Sequence, residues 1–175
     1  GAFAQFAVKT GTGSQDFSSG ALRLPFYHED FQCIDTVGPP DVIVGIRTVP
    51  SERARRGPQL TRGIIDVPVS PLELDTLLPM ILGAVEATNV FAVAETVPTF
   101  AALIDKVSRR YQYTDGVVDK ATFHAVQSGP GAPPNFIVLR MECLFKDEDA
   151  ATNAAYPSLT LGLTTGYIPY VFEDS

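Results

Sequence analysis

The stretch Leu60–Gly83, LTRGIIDVPVSPLELDTLLPMILG, passes directly from a strand pattern into a helix pattern and is the most informative part of the chain. β-branched and apolar residues dominate as far as Val69, which is typical of a strand. Ser70 then occupies an N-cap position, Pro71 the first helical position, and Glu73 the capping-box position three residues after Ser70. The sequence therefore predicts a strand that leads straight into a well-defined helix start.

The predicted helix covers about residues 70–82 and has one apolar face. Spacings of three and four residues place four side chains on that face: Leu74, Leu77, Leu78 and Ile81. Gly83 is a typical C-terminal stop. Pro79 has no N–H to donate to the carbonyl of Asp75, so we expect the last turn to be kinked or non-helical. The pattern predicts a single buried helix packed on a sheet.

The rest of the chain predicts strands. Phe and Tyr together number 17, and Gly and Pro number 14 each, a mixture that favours short strands and frequent turns. The candidate strands cover residues 21–26, 42–49, 60–69, 90–94, 100–107, 110–114, 117–126, 135–145, 159–163 and 168–172. Asp115-Gly116 predicts a hairpin turn between two of them. The predicted fold is mainly β, an antiparallel β-sandwich or barrel with one flanking α-helix.

A chain of 175 residues predicts one domain spanning 1–175, with a loop-rich segment over residues 1–40. Strands 42–49 and 60–69 predict a long hairpin whose tip, about residues 50–58, is a basic, mobile loop. The long strands 100–107 and 135–145 carry few charges, so we expect them to be exposed edges available to neighbouring copies.

Composition restricts the function. The formal net charge is −7, whereas a protein that grips nucleic acid needs a surplus of Lys and Arg. No apolar run is long enough for a membrane helix, and no signal-peptide pattern begins the chain, so no membrane role is predicted. Cys33 and Cys143 form no CxxC pair and lie in apolar segments. Both are predicted to be small buried hydrophobic residues.

No residue pattern predicts catalysis, a metal site or a cofactor. His28, Glu29, Asp30 and Cys33 form the one local cluster of metal-ligand types, but no second set of ligands follows. Thr10–Gly13 lacks the Lys-Ser/Thr ending of a phosphate loop. His124 lies inside a strand pattern, and no Gly-x-Ser-x-Gly elbow occurs. We therefore predict a protein that is not an enzyme.

Basic residues concentrate in one segment of this acidic chain. Five of the 13 lie between residues 47 and 62: Arg47, Arg53, Arg55, Arg56 and Arg62. Three interpretations remain open: a solvated loop, a docking element for an acidic patch on a neighbouring copy, and a contact with nucleic acid. Docking is chemically attractive because an arginine fork binds a carboxylate through two hydrogen bonds.

Several segments follow one another in the same order as in a known protein family: Gly45–Arg47, Arg62–Pro68, Ser70–Gly83, Pro98–Phe100, Ile104–Lys106, Tyr113, Gly116, Val118–Phe123 and Pro169–Ser175. Through these segments, residues 44–175 resemble the tail tube proteins of tailed bacteriophages. The helix segment is the most specific part of the resemblance.

The resemblance implies a structural virion protein. A β-sandwich with one flanking helix would assemble into hexameric rings, and the rings would stack around a channel through which DNA passes at ejection. Inner sheets of neighbouring copies would join edge to edge, and the loop at 50–58, with the five arginines, would reach the adjacent ring. The implied partners are further copies of the chain, a tape measure protein and a terminator, in a virion tail assembled in the host cytoplasm.

Two other classes of function remain open. One is another virion protein of similar fold, a tail terminator or a capsid decoration protein; terminators cap a tube, whereas tube subunits polymerise. The other is a small binding module or enzyme on a β-sandwich, for which a pocket with convergent polar groups would be required.

Overall fold

The computed structural model describes residues 4–38, 55–87, 90–106, 109–125, 135–150 and 171–172. In chain order the elements are β1 (Gln5–Thr10), β2 (Leu22–Leu24), β3 (His28–Gly38), β4 (Arg55–Pro68), α1 (Pro71–Leu82), β5 (Gly83–Ala87), β6 (Val90–Val93), β7 (Phe100–Asp105), β8 (Arg110–His124), β9 (Asn135–Phe136), β10 (Val138–Phe145), β11 (Asp147–Ala150) and β12 (Val171–Phe172). The prediction of a mainly β, antiparallel fold with one helix is confirmed over these residues.

Most strands belong to one antiparallel sheet in the order β2-β1-β7-β8-β10-β4-β3, with β11 also paired to β8. The strand β8 divides this sheet in two. Its first part pairs with β7 and β11, and its second part, from Val117 onward, pairs with β10. We name β2, β1, β7, the start of β8 and β11 sheet A, and the end of β8 with β10, β4 and β3 sheet B. The pairs β5-β6 and β9-β12 form two small separate sheets.

The predicted hairpin at Asp115-Gly116 is wrong, because both residues lie inside the continuous strand β8. The strand passes there from sheet A to sheet B, and its two parts pair with other strands instead of with each other. Asp115 has φ 49°, the left-handed conformation that an Asp-Gly sequence favours. The Asp-Gly dipeptide, which predicts a turn, therefore occurs here at a bend in a strand that passes between two packed sheets.

An aromatic cluster joins the two sheets. The ring of Phe31, on β3, lies 5.6 Å from that of Phe6 and 5.1 Å from that of Tyr113. Phe145, on β10, lies 5.4 Å from Phe100 and 5.3 Å from Tyr113. Because sheet B contributes Phe31 and Phe145 while sheet A contributes the other three rings, the cluster is the centre of a sandwich core.

The other face of sheet A carries a second, smaller core. Ala7, Ala101, Leu103 and Phe17 are fully buried there. Phe17 belongs to the segment that follows β1, and the ammonium of Lys9 holds that segment by donating to the carbonyls of Asp16 and Ser19, at 2.6 and 2.8 Å. Strands β1 and β7 are consequently buried on both faces.

The segment 1–40, expected to be loop-rich, contains β1, β2 and β3 within its described residues. β1 is buried on both faces, so its sequence shows no alternation of apolar and polar residues. Residues 28–34 of β3 alternate between core and solvent, and their largely polar sequence is also typical of a loop. The predicted strand 21–26 is confirmed as β2, whereas the predicted strands 42–49 and 159–163 lie outside the described residues.

The long hairpin differs from its predicted limits. The strand that pairs with β4 is β3, and β4 begins at Arg55. Residues 55–58 are therefore part of a strand and not of the predicted loop, because backbone pairing with β3 continues to Gly38↔Arg55. Residues 50–54, the rest of that predicted loop, lie outside the described part of the chain.

The helix starts as the sequence predicts. Ser70 precedes the first helical residue, and both its backbone N–H and its hydroxyl donate to Oε2 of Glu73, at 3.0 and 2.9 Å. Leu77 is fully buried, as is Met80, which the apolar periodicity did not single out. Leu74 and Ile81 pack against the same core, and α1 lies on β8, β2 and the β5-β6 pair.

The helix ends at Gly83, as predicted, with φ 96° and its N–H bonded to the carbonyl of Pro79. We expected the last turn to be kinked or non-helical; the non-helical alternative is wrong, because α1 continues through Pro79 to Leu82. Proline removes one hydrogen bond here, and Asp75, whose carbonyl loses that partner, is exposed, so water can replace it.

The two strands expected at sheet edges are central strands over most of their length, and residues 135–136 of the second form β9, outside the main sheet. β7 lies between β1 and β8, and β10 lies between β8 and β4. These strands carry few charges because they are buried. An exposed edge strand can have the same long apolar sequence, so the sequence alone does not distinguish the two. Among the described strands, the edges of the main sheet are β2, β3 and the outer side of β11.

Candidate assembly surface

Three large aliphatic side chains are exposed on the outer face of sheet B. Ile34 is 40% exposed, Leu60 49% and Leu144 41%. Ile34 lies directly across from Leu60, and Leu144 lies across from Arg62, which is two residues along β4 from Leu60. Side chains at such positions are cross-strand or diagonal neighbours on one face. We name Ile34, Leu60 and Leu144 the aliphatic patch.

Arg62 lies within the aliphatic patch. It is exposed between Gln32 of β3 and Leu144 of β10, and it forms no ion pair with any described residue. Two other cations described on this face are paired: Lys120 with Glu142 at 3.0 Å, and Arg140 with Asp66 at 3.6 Å. The patch thus combines apolar surface with a guanidinium that pairs with no described carboxylate.

A two-stranded ribbon continues from the patch. Pairing between β3 and β4 extends from Ile34↔Leu60 to Gly38↔Arg55, whereas β10 pairs with β4 only as far as Thr61. We name residues 34–38 and 55–60 the ribbon. Within the described part of the chain, its β4 side has no partner strand beyond β10. A strand edge of this kind offers free backbone hydrogen-bonding groups to another chain.

Three of the sequence-predicted arginines lie on one strand. Arg55, Arg56 and Arg62 all belong to β4, the first two on the ribbon. Arg47 and Arg53 lie outside the described residues. Sequence reasoning missed the aliphatic patch, because Ile34 belongs to a strand that it interpreted as loop. The period-2 pattern of residues 28–34 is the signal that could have revealed it.

The acidic residues of β11 lie at another edge of the molecule. Asp147 and Asp149 are exposed and stand opposite Thr114 and Gln112 of β8. Being two residues apart in a strand, they project to the same side. Neither forms an ion pair with another described residue. We name these two residues the acidic edge.

The metal-ligand types at the start of β3 are separated by the strand. Alternation places His28 and Asp30 on the outer face and Glu29 and Cys33 on the other, and Glu29 is paired with Lys106 at 3.2 Å. Over the described ranges, no group of three or more His, Cys, Asp or Glu is placed to hold a metal. No helix in that part of the chain is long and apolar enough to cross a membrane.

Burial raises the pKa of two side chains in the core, Cys143 and Tyr113. Burial raises the pKa of the Cys143 thiol to about 12. Burial and the nearby carboxylate of Glu148 raise the pKa of Tyr113 well above its usual range. Cys143 is buried as predicted, whereas Cys33 is only partly buried and accepts hydrogen bonds from Gln59 and Thr61. Cys143 and Tyr113 are therefore part of the packed core.

No protein-family description matches this sequence, and no curated protein matches it. Solved structures do show similarity. The tube–sheath complex of the extracellular contractile injection system PVC, in its extended state, has a TM-score of 0.42 at 9% identity, over 84% of this chain and 89% of that chain.

Two further structures are similar at the same level. Hcp1 from Salmonella typhimurium has a TM-score of 0.39 at 11% identity, over 83% of each chain. The tube-terminating cap of the anti-feeding prophage has a TM-score of 0.43 at 9% identity, over 85% of this chain and 88% of that chain. Similarity at this level does not carry a function over to the present chain.

Proposed function

We propose that this chain is a structural subunit that assembles with copies of itself into a tail tube. The observation that carries the proposal is the aliphatic patch, with the unpaired Arg62 inside it and the ribbon beside it. The resemblance of residues 44–175 to tail tube proteins supports the same interpretation from the sequence.

The physical reason is that these features favour contact with another protein. Contiguous exposed aliphatic side chains are removed from water when a partner covers them, and each square ångström of apolar surface buried is worth about 25 cal/mol. Arginine is enriched at interfaces because its planar fork satisfies several acceptors at once. The unpaired strand edge of the ribbon adds backbone donors and acceptors.

In the assembly that we propose, hexameric rings stack around a channel for DNA. The five arginines Arg47, Arg53, Arg55, Arg56 and Arg62 contact a neighbouring copy in the next ring. A tape measure protein and a terminator are the further partners, and the location is the tail of a virion. The net charge of −7 suits a wall past which phosphates slide without being held.

Electron microscopy of the purified protein in negative stain tests the proposal. We expect tubes with a central hole, and sedimentation velocity should show large species forming from monomer with few small intermediates. Single closed rings that never stack would favour the terminator alternative. Monomer at every concentration would overturn the proposal and favour a binding module.

A further inference from the structure

We propose that the aliphatic patch and Arg62 of one copy bind the acidic edge of a second copy, in a head-to-tail contact. The inference rests on the proposed self-assembly and specifies which two surfaces meet. Each surface lies on described residues, and the two differ in position and in charge.

A partner that covers the patch must also satisfy Arg62. A partner that buries Ile34, Leu60 and Leu144 also removes water from Arg62, which lies among them. Burying an unpaired guanidinium is costly unless the partner supplies an acceptor, and a carboxylate is the strongest acceptor that a protein offers it. The patch therefore selects an acidic surface and disfavours a purely apolar one.

A second copy of this chain can supply such carboxylates. Several described acids are already paired with cations: Glu29, Asp66, Asp105, Asp115 and Glu142. Glu73 is buried in the helix cap. Asp16, Asp30, Asp75, Glu95 and Asp119 are exposed too, but none of them has a second exposed carboxylate two residues along a strand. Asp147 and Asp149 are exposed, form no ion pair with a described residue, and lie side by side on a strand at the edge of the described sheet; Oδ1 of Asp147 accepts the N–H of Glu148 at 2.8 Å. They match a guanidinium that needs two oxygen acceptors.

The positions of the two surfaces determine the symmetry of the contact. The patch lies on the outer face of sheet B, while the acidic edge belongs to sheet A. A contact between two different surfaces of the same chain is heterologous, and its repetition gives a closed ring or an open helix. A two-fold dimer through this contact would need the patch and the acidic edge on one common surface, so that both reciprocal contacts form at once, whereas they lie on different sheets. A two-fold dimer through the patch alone would place Arg62 near another Arg62. The charges favour a head-to-tail contact, such as one between copies in successive rings, over such a dimer.

Charge exchange tests the contact. We expect Arg62→Glu, Asp147→Arg and Asp149→Arg each to raise the protein concentration needed for assembly by about tenfold or more, since close charge pairs couple by more than about 1.4 kcal/mol. Combining Arg62→Glu with Asp149→Arg, or with Asp147→Arg, restores the wild-type net charge and re-forms the pair. At least one of these doubles should assemble within roughly threefold of the wild-type concentration.

Matched controls separate the local contact from net charge. Arg109→Glu and Asp119→Arg change exposed residues of the same types by the same charge and should leave assembly unchanged. Sedimentation velocity gives the assembly concentration, and thermal unfolding checks that each variant folds. If Arg62→Glu fails to fold, Arg62→Gln takes its place and should weaken assembly in the same direction.

The outcomes distinguish the two proposals. Wild type that never assembles overturns the proposed function. Wild type that assembles, with single variants that assemble equally well, overturns only the contact inferred here. Single variants that are impaired without recovery in either double also overturn it, because the effect would then not arise from pairing Arg62 with the acidic edge.

Discussion

At the scale of single residues, Gly116 shows how closely the two sheets approach. It lies in β8 at the bend, where a Cβ atom would overlap the ring of Phe145 and come within 3.1 Å of the carbonyl oxygen of Phe100. Phe145 is itself buried among other rings and cannot move aside. The position therefore requires a glycine for reasons of space, in a packed interior that tolerates little extra volume.

We predict that Gly116→Ala destabilises the protein by about 1–3 kcal/mol, the usual cost of overpacking a core. Chemical denaturation with an unchanged m-value would measure it. Phe145→Leu provides the matched test, because the smaller side chain makes room for the methyl group. The double variant should be more stable than the sum of the two single losses implies, and simple additivity would show that the two residues do not compete for space.

At the scale of elements, α1 begins at a buried capping box. Glu73 is 2% exposed and accepts both hydrogen bonds from Ser70. Burial raises the pKa of its carboxyl group above the usual 4.5, and the hydrogen bonds from Ser70 only partly oppose this shift. A raised pKa in the folded state means that folding favours the protonated carboxyl. Its stabilising contribution is complete below 4.5 and is lost as the pH rises through the raised pKa.

We predict that Glu73→Gln is more stable than wild type at pH 7, since the amide oxygen can still accept from Ser70 without a buried charge. The advantage should shrink as the pH is lowered toward the usual carboxyl range. Thermal unfolding at a series of pH values would measure it, with the exposed Glu95→Gln as a control that shows no such trend. A difference between Glu73→Gln and wild type that is independent of pH would contradict the prediction.

At the scale of the whole molecule, the proposed contact combines apolar burial with opposite charges. Association through an Arg–carboxylate pair weakens with salt, because ions screen the two exposed charges before they meet, and the Debye length shortens from about 10 Å at 0.1 M to about 3 Å at 1 M. Apolar burial is not weakened in this way. The salt dependence of assembly therefore reports how much of the contact is Coulombic.

We predict that the wild-type assembly concentration rises with NaCl, and that Arg62→Gln starts from a higher value and rises less steeply. Sedimentation across a series of salt concentrations at constant pH would measure both slopes. Arg109→Gln, which removes a cation outside the proposed contact, should keep the wild-type slope. Equal slopes for wild type and Arg62→Gln would show that Arg62 makes no charge-dependent contact in the assembly.

The features that could be predicted from the sequence are those that short-range physics controls. The start of α1 depends on Ser70, Pro71 and Glu73, which act within one turn, and its end depends on the left-handed Gly83. The mainly β character of the fold likewise follows from residue types and from the frequency of turns. The concentration of arginines between residues 47 and 62 is a property of residue order alone, so it can be recognised without knowing how the strands pair.

The position of each strand in the sheets depends instead on contacts between distant parts of the chain. Asp115-Gly116 became a bend because the two parts of β8 found partners on different sheets, and β7 and β10 became central strands because both of their edges are paired. The aliphatic patch exists only because the register of β3, β4 and β10 brings Ile34, Leu60 and Leu144 to one face. Pairing partners and register are long-range choices, made by burial over the whole core, and no local window of sequence contains them.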